Sequence, residues 1–131
     1  MNAGDALVRP FVTVAPGDFA RHAAGLMDDF GLSVVPVADQ HVFLGVVTRE
    51  DALGGGDGVP FPLVRQVMSQ PVLVAARDTP ADALFDAMSR HEVLTVPVLD
   101  EGQVVGVVTR LSLLRAITRN DDLTAGSAVH D

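Results

Sequence analysis

Apolar positions change period several times along the chain, and the changes come twice in the same order. Residues 11–15, "FVTVA", alternate as an extended run. Phe19, Ala23, Leu26, Met27 and Phe30 then share one face at a period of 3.6, which predicts an amphipathic helix. Gly31 stands where a left-handed residue would end it. Two β-branched runs follow, "SVVPVA" (33–38) and "VFLGVVT" (42–48), with only "DQH" between them, which is a hairpin signal. The second half repeats the order with "VLVAA" (72–76), a helical stripe of Leu84, Ala87 and Met88, and "TVPVL" and "VVGVVT" around "DEGQ".

A shift of 61 residues lays Val8–Leu53 on Ser69–Leu114 without a gap, and 14 of the 46 pairs are identical. Among them are Val35-Pro36-Val37 with Val96-Pro97-Val98, and Gly45 through Arg49 with Gly106 through Arg110. Several are turn or strand residues with fixed backbone demands, so the chain is a tandem pair. Each unit reads β-α-β-β-α. Asp18 takes the N-cap place of the first long helix; Thr79 does so in the second copy, with Pro80 at the first helical position and Asp82 behind it. A last helix opens at Thr48 or Thr109. "LVRQVM" (63–68) reads as a short helix leading into the second unit, "DALV" (5–8) is the equivalent lead-in before the first, and "GGGDGVPFP" (54–62) is a linker by composition.

The expected division is therefore a first repeat over 1–60 (with its lead-in and the linker from 54), a second over 61–119, and a polar tail over 120–131 that frays. A unit this small exposes too much surface to stand alone. Two copies can pack sheet against sheet in a pseudo-twofold α/β arrangement, which leaves two related clefts between them.

Composition narrows the chemistry. A net charge of −8 disfavours a nucleic-acid partner. All nine basic residues are arginine, which removes Schiff-base chemistry and the P-loop lysine, so the glycine run at 54–58 is not a phosphate loop. Cysteine is absent, and His22, His41, His91 and His130 show no metal-ligand spacing, so no metal site is expected. No nucleophile elbow or Ser/His/acid set appears, and an enzyme is not expected. With no apolar run of membrane length and no basic-then-apolar start, the expected location is cytoplasmic and off the membrane.

The doubled unit, with its "VPV" followed by Asp and its Gly-apolar-apolar-Thr-x-x-Asp ending, resembles the cystathionine-β-synthase (CBS) domain. The tandem resembles the CBS pair, or Bateman module, over roughly Ala3–Arg119. The resemblance implies regulation: an adenosine-containing ligand (AMP, ADP, ATP or S-adenosylmethionine) in a cleft between repeats, and assembly into a homodimer. Carried over by position, the first cleft uses Ser33, Val46, Thr48 and Asp51, with Val72 and Leu73 from the second repeat. The second uses Leu94, Val107 and Thr109, with Phe11 and Val12 opposite, and Ser112 stands where the motif has aspartate. A hydroxyl cannot grip two ribose hydroxyls as a carboxylate can, so unequal clefts are expected, with Asp51→Ala abolishing or greatly weakening binding. Thr48-x-x-Asp51 also reads as a capping box alone. A pair that binds a partner protein and has vestigial clefts is the alternative function.

Overall fold

The computed structural model describes residues 1–54 and 60–119, so the middle of the expected linker and the whole tail 120–131 lie outside the described residues. A 3-10 turn at Ala3–Ala6 opens the chain, followed by α1 (Ala20–Phe30), β1 (Val34–Asp39), β2 (Val42–Thr48) and α2 (Arg49–Gly54). The second half supplies α3 (Val64–Val67), β3 (Ala75–Ala76), α4 (Ala81–Arg90), β4 (Thr95–Asp100), β5 (Gln103–Thr109) and α5 (110–119).

The two hairpins are copies of one another down to their irregularities. Val34 pairs with Thr48 as Thr95 pairs with Thr109, and the register slips once in each, after Val37 and after Val98. Both turns are two-residue turns with positive φ at each position, Gln40 and His41 in one and Glu101 and Gly102 in the other. That twist suits a tight hairpin. The sheets do not simply face each other, however. At their turn ends the hairpins join, Val42 opposite Gln103, into one five-stranded sheet of order β1-β2-β5-β4-β3, while β1 also lies against β4 and β5.

The runs at 11–15 and 72–76 are not full strands. Only Val14 bridges to Val37, and only Ala75–Ala76 pair in parallel with β4. Each extended run reaches its partner at its C-terminal end and then turns away. The turns are closed by the side chains expected to cap helices: the Asp18 carboxylate accepts the N–H of Ala15 at 2.9 Å, and the Thr79 hydroxyl accepts that of Ala76 at 2.9 Å. The helices start later, with Phe19 and Pro80 in the N-cap places and no side-chain cap bond. Their first N–H groups go instead to backbone elsewhere, Ala20 to the Pro62 carbonyl and Ala81 to that of Met1. Gly31 ends α1 at φ 65°, in the left-handed conformation.

Those contacts belong to a crossover. The first lead-in lies on the second repeat, where the N–H groups of Ala3 and Gly4 donate to Thr79 and Arg77 carbonyls. The second lead-in lies on the first repeat, Val64 and Arg65 donating to Asp18 and Pro16. Two apolar clusters result, one around Met27, Val35, Val37 and Val64, the other around Met88, Val96, Val98 and Leu113. Val107 of the second repeat packs with the first cluster and ties the two together. On β2 the crossover demands glycine: a Cβ on Gly45 would sit 2.8 Å from the Ser69 carbonyl oxygen.

Gly45→Ala therefore forces backbone apart and is expected to lower unfolding free energy by about 1–3 kcal/mol in urea titration. Gly25→Ala, in mid-helix with nothing within 4 Å, should instead stabilise by roughly 0.5–1 kcal/mol. Equal effects would mean the Ser69 contact is not rigid.

Candidate ligand-binding cleft

Helices α2 and α5 each begin where a β-strand ends, and the same reciprocal bonds start both. Thr48 Oγ1 accepts the N–H of Asp51 at 3.0 Å while Asp51 Oδ2 accepts that of Thr48 at 3.2 Å. In the second repeat Thr109 Oγ1 accepts the N–H of Ser112, and Ser112 Oγ accepts that of Thr109, both at 2.9 Å. The repeated threonine thus closes a capping box in both copies. The fourth position differs in what else it holds. Asp51 Oδ2 also accepts the Ser69 hydroxyl at 2.9 Å, fastening the second lead-in; the Ser112 hydroxyl turns back to donate to the Thr109 carbonyl at 3.0 Å.

The seam between repeats is correspondingly uneven. Ser69 and Val46 exchange both backbone bonds at 2.9 Å, and Gln70 Nε2 donates to the Leu44 carbonyl at 3.2 Å. At the matching place on the other side, the N–H of Val8 donates to the Val107 carbonyl at 2.9 Å. That side carries a cleft of about 1040 Å³. Its floor and walls come from the first lead-in, the C-terminal end of α1, the start of β4 and one face of α5.

Of the positions singled out from sequence, Leu94, Thr109 and Ser112 line this cleft, together with Ser33 from the set assigned to the first cleft. Thr48, Asp51, Val72 and Leu73 do not, nor do Phe11 and Val12. Val46 and Val107 are 1% and 4% exposed and belong to the interior, so neither offers a face to a ligand. Leu73 and Val12 are half-buried against the two cores, while Val72 and Phe11 are exposed. Ser33 Oγ donates to Thr95 Oγ1 at 2.9 Å, and the Ser33 N–H donates to the same oxygen at 3.1 Å, closing the wall across the seam.

Read from the sequence, Arg49 and Arg110 could lend charge to a phosphate but are more simply solvated surface residues, and the arginine cluster is not visible there. Arg9, Arg49, Arg110, Arg115 and Arg119, five of the nine, line the cleft with one acid among the described residues, Asp5. They come from three separated segments, so no single run of sequence signals the cluster; the crossover brings Arg9 to α5. Arg49 is paired with Asp28 at 2.6 Å. Arg110 is half-buried with its guanidinium 5.4 Å from the centre of the Phe85 ring, and its Nε is buried without a hydrogen-bond partner among the described residues. The site therefore has apolar walls and a positive field, inside a chain whose net charge is −8.

Comparison with known proteins agrees with the doubled architecture. A family model described as the CBS domain matches residues 3–55 and again 64–119. The chain belongs to the CBS domain family. It is 33% identical, over 79% of its length, to the inosine-5'-monophosphate dehydrogenase of Korarchaeum cryptofilum, but spans only 21% of that enzyme. The CBS domain-containing protein YhcV of Bacillus subtilis is 28% identical, with 95% of this chain and 90% of YhcV covered. The crystal structure of CBSX2 in complex with AMP superposes with a TM-score of 0.78 at 21% identity, over 92% of this chain and 98% of that one. At that identity the likeness is one of fold. The two matches of the CBS domain account for the repeat.

The two boxes should not contribute equally to stability. Asp51→Ala removes a cap acceptor and the anchor of Ser69 together, whereas Ser112→Ala removes bonds within one turn. The expected difference is about 1 kcal/mol, with Asp51→Ala the more destabilising in urea unfolding. Equal losses would show that the Ser69 bond adds nothing.

Proposed function

We propose that this CBS pair is a regulatory module that binds a phosphate-bearing adenosine ligand in the cleft at Thr109 and passes its occupancy to a homodimer partner. The observation that carries the reading is the convergence of five arginines on an apolar-walled cleft at the N-terminus of α5. An adenine ring needs apolar surface, here Leu94, Leu111 and Leu114 among others, and phosphate needs guanidinium. The AMP held by CBSX2, a protein of the same fold, supports the ligand class. S-adenosylmethionine carries a sulfonium cation and suits this field less well than AMP, ADP or ATP.

The placement of Asp51 argues against the first cleft as the main site. Asp51 is already committed through Oδ2 to Ser69 and to the Thr48 N–H, and neither Thr48 nor Asp51 lines the cleft. We therefore assign the ligand to the side bearing Ser112, opposite to the expectation drawn from the aspartate alone.

Signalling through a dimer is supported by α5 itself. Leu111 and Leu114 line the cleft and yet are 53% and 48% exposed, and Leu53, the counterpart of Leu114 on α2, is 73% exposed. A second copy would bury such a surface, and a ligand that shifts α5 would then be felt across the interface.

A thermal-shift panel of AMP, ADP, ATP, S-adenosylmethionine and NAD tests the ligand class. The phosphorylated adenosine ligands should raise the melting temperature by mass action, about 2.7 kcal/mol of stabilisation at a hundredfold excess over Kd. No shift at millimolar concentration would favour the partner-binding alternative. In calorimetry, Arg110→Ala should weaken binding at least tenfold and Asp51→Ala less than threefold; the reverse order would return the ligand to the first cleft. Sedimentation equilibrium should show a dimer, and a monomer at high concentration would remove the coupling.

A further inference from the structure

The helices of the two repeats differ in charge, and the difference runs through matched positions. At the 61-residue shift, Asp28 and Asp29 at the end of α1 become Ser89 and Arg90 at the end of α4. On the last helices Glu50 becomes Leu111, Asp51 becomes Ser112 and Gly54 becomes Arg115. Helix α5 therefore holds Arg110, Arg115 and Arg119 and no acid, while α2 holds Glu50 and Asp51 beside Arg49. Arg49 is bonded to Asp28 and Asp51 to Ser69, which leaves Asp29 and Glu50 as the exposed carboxylates there without a partner among the described residues. Asp86 and Glu92 offset Arg90 near the end of α4. The excess positive charge lies on α5, where Arg115 and Arg119 are exposed and without an ion-pair partner among the described residues.

Both repeats present these groups around one opening. Phe30 and Arg49 line the same cleft as Leu111, Leu114 and Arg115. Exposed leucines stand among the charges, Leu53 in the first repeat and Leu111 and Leu114 in the second. Apolar surface rimmed by charge marks an interaction face. Solvation accounts for single surface charges, and Arg115 and Arg119 also suit the C-terminal dipole of α5. Neither effect requires the matched leucines 53 and 114 to lie among acids in one copy and arginines in the other.

We propose that this face takes a second copy of the chain head to tail, α1 and α2 of one protomer meeting α5 of its partner. The inference rests on the homodimer reading and adds its orientation. A twofold axis can pair such a face in two ways. Head to head sets Asp29 and Glu50 against their own copies and Arg115 and Arg119 against theirs, and like charges across an interface disfavour that pairing. Head to tail sets Leu53 against Leu114 twice, each time with an acidic rim facing a basic one. Arg115 and Arg119 also edge the cleft, so the partner's acids and a bound phosphate share them.

The chain has no cysteine, so single cysteines report the orientation. Leu53→Cys and Leu114→Cys should each resist cross-linking by a short bis-maleimide, whereas an equimolar mixture of the two should give a cross-linked dimer. Cross-linking of each variant alone, with nothing gained on mixing, would overturn the orientation and leave the dimer standing. A monomer in sedimentation equilibrium of the unaltered chain at high concentration would overturn both. Charge reversal decides independently of the cysteines. Arg115→Glu combined with Arg119→Glu should weaken the dimer at least tenfold, as should Asp29→Arg combined with Glu50→Arg, and mixing the two variants should restore it to within threefold. Raising sodium chloride from 50 to 300 mM should weaken the unaltered dimer at least fivefold. Dimer affinity unchanged in both charge variants would overturn the proposal.

Discussion

Each lead-in is hydrogen-bonded to the repeat it does not precede, and most of the remaining structure depends on that exchange. The backbone of residues 3–8 supplies donors to Thr79, Arg77 and Val107, while residues 64–69 supply them to Asp18, Pro16 and Val46. Helices α1 and α4 take their first bonds from chain just ahead of a lead-in, which is why they need no side-chain caps. A single repeat would lack these partners and the core residues lent by the other segment, so the pair is the smallest unit that can satisfy its backbone. The cleft is a by-product of the same seam, since its walls are drawn from both sides of it.

The exchange is symmetric in backbone and asymmetric in side chain. On one side a hydroxyl at position 69, a carboxylate at 51 and an amide at 70 all fasten the lead-in; on the other, valine at 8 makes one backbone bond and serine at 112 looks inward. A duplicated fold can divide its labour in this way. The copy with the complete motif uses its aspartate to hold the second lead-in, and the copy without it borders the cleft to which we assign the ligand. Preserving Gly-Val-Val-Thr in both copies satisfies the turn and cap that both must form, and leaves the fourth position free to diverge.

Much of the architecture was legible because it rests on local rules repeated twice. The hairpins, the glycine that ends α1, the short helix at 64–67 and the buried methionines all follow from period and turn chemistry. The first strands and the helix caps were misread for a common reason. Residues 11–15 carry β-type alternation, but pairing needs a partner, and only Val14 meets one. Asp18 and Thr79 have the right side chains to cap a helix, yet each is used one turn earlier because a distant carbonyl already serves the helix N-terminus. Thr109, Ser112 and Leu94 could be placed together by motif position, whereas Ser33 was assigned to the other cleft and joins them through its bonds to Thr95 across the seam. The arginine cluster could not be placed, because Arg9 and Arg119 share a wall only through the crossover.

The central claim is that ligand sits on the open side of the seam, and amide chemical-shift mapping during an ATP titration addresses it residue by residue. The account predicts saturable shifts concentrated at residues 7–9, 94–95 and 109–119, with the turn at Thr48–Asp51 and the segment Ser69–Val72 nearly silent. Shifts centred on Thr48–Asp51 and Ser69–Val72, with α5 unmoved, would contradict it.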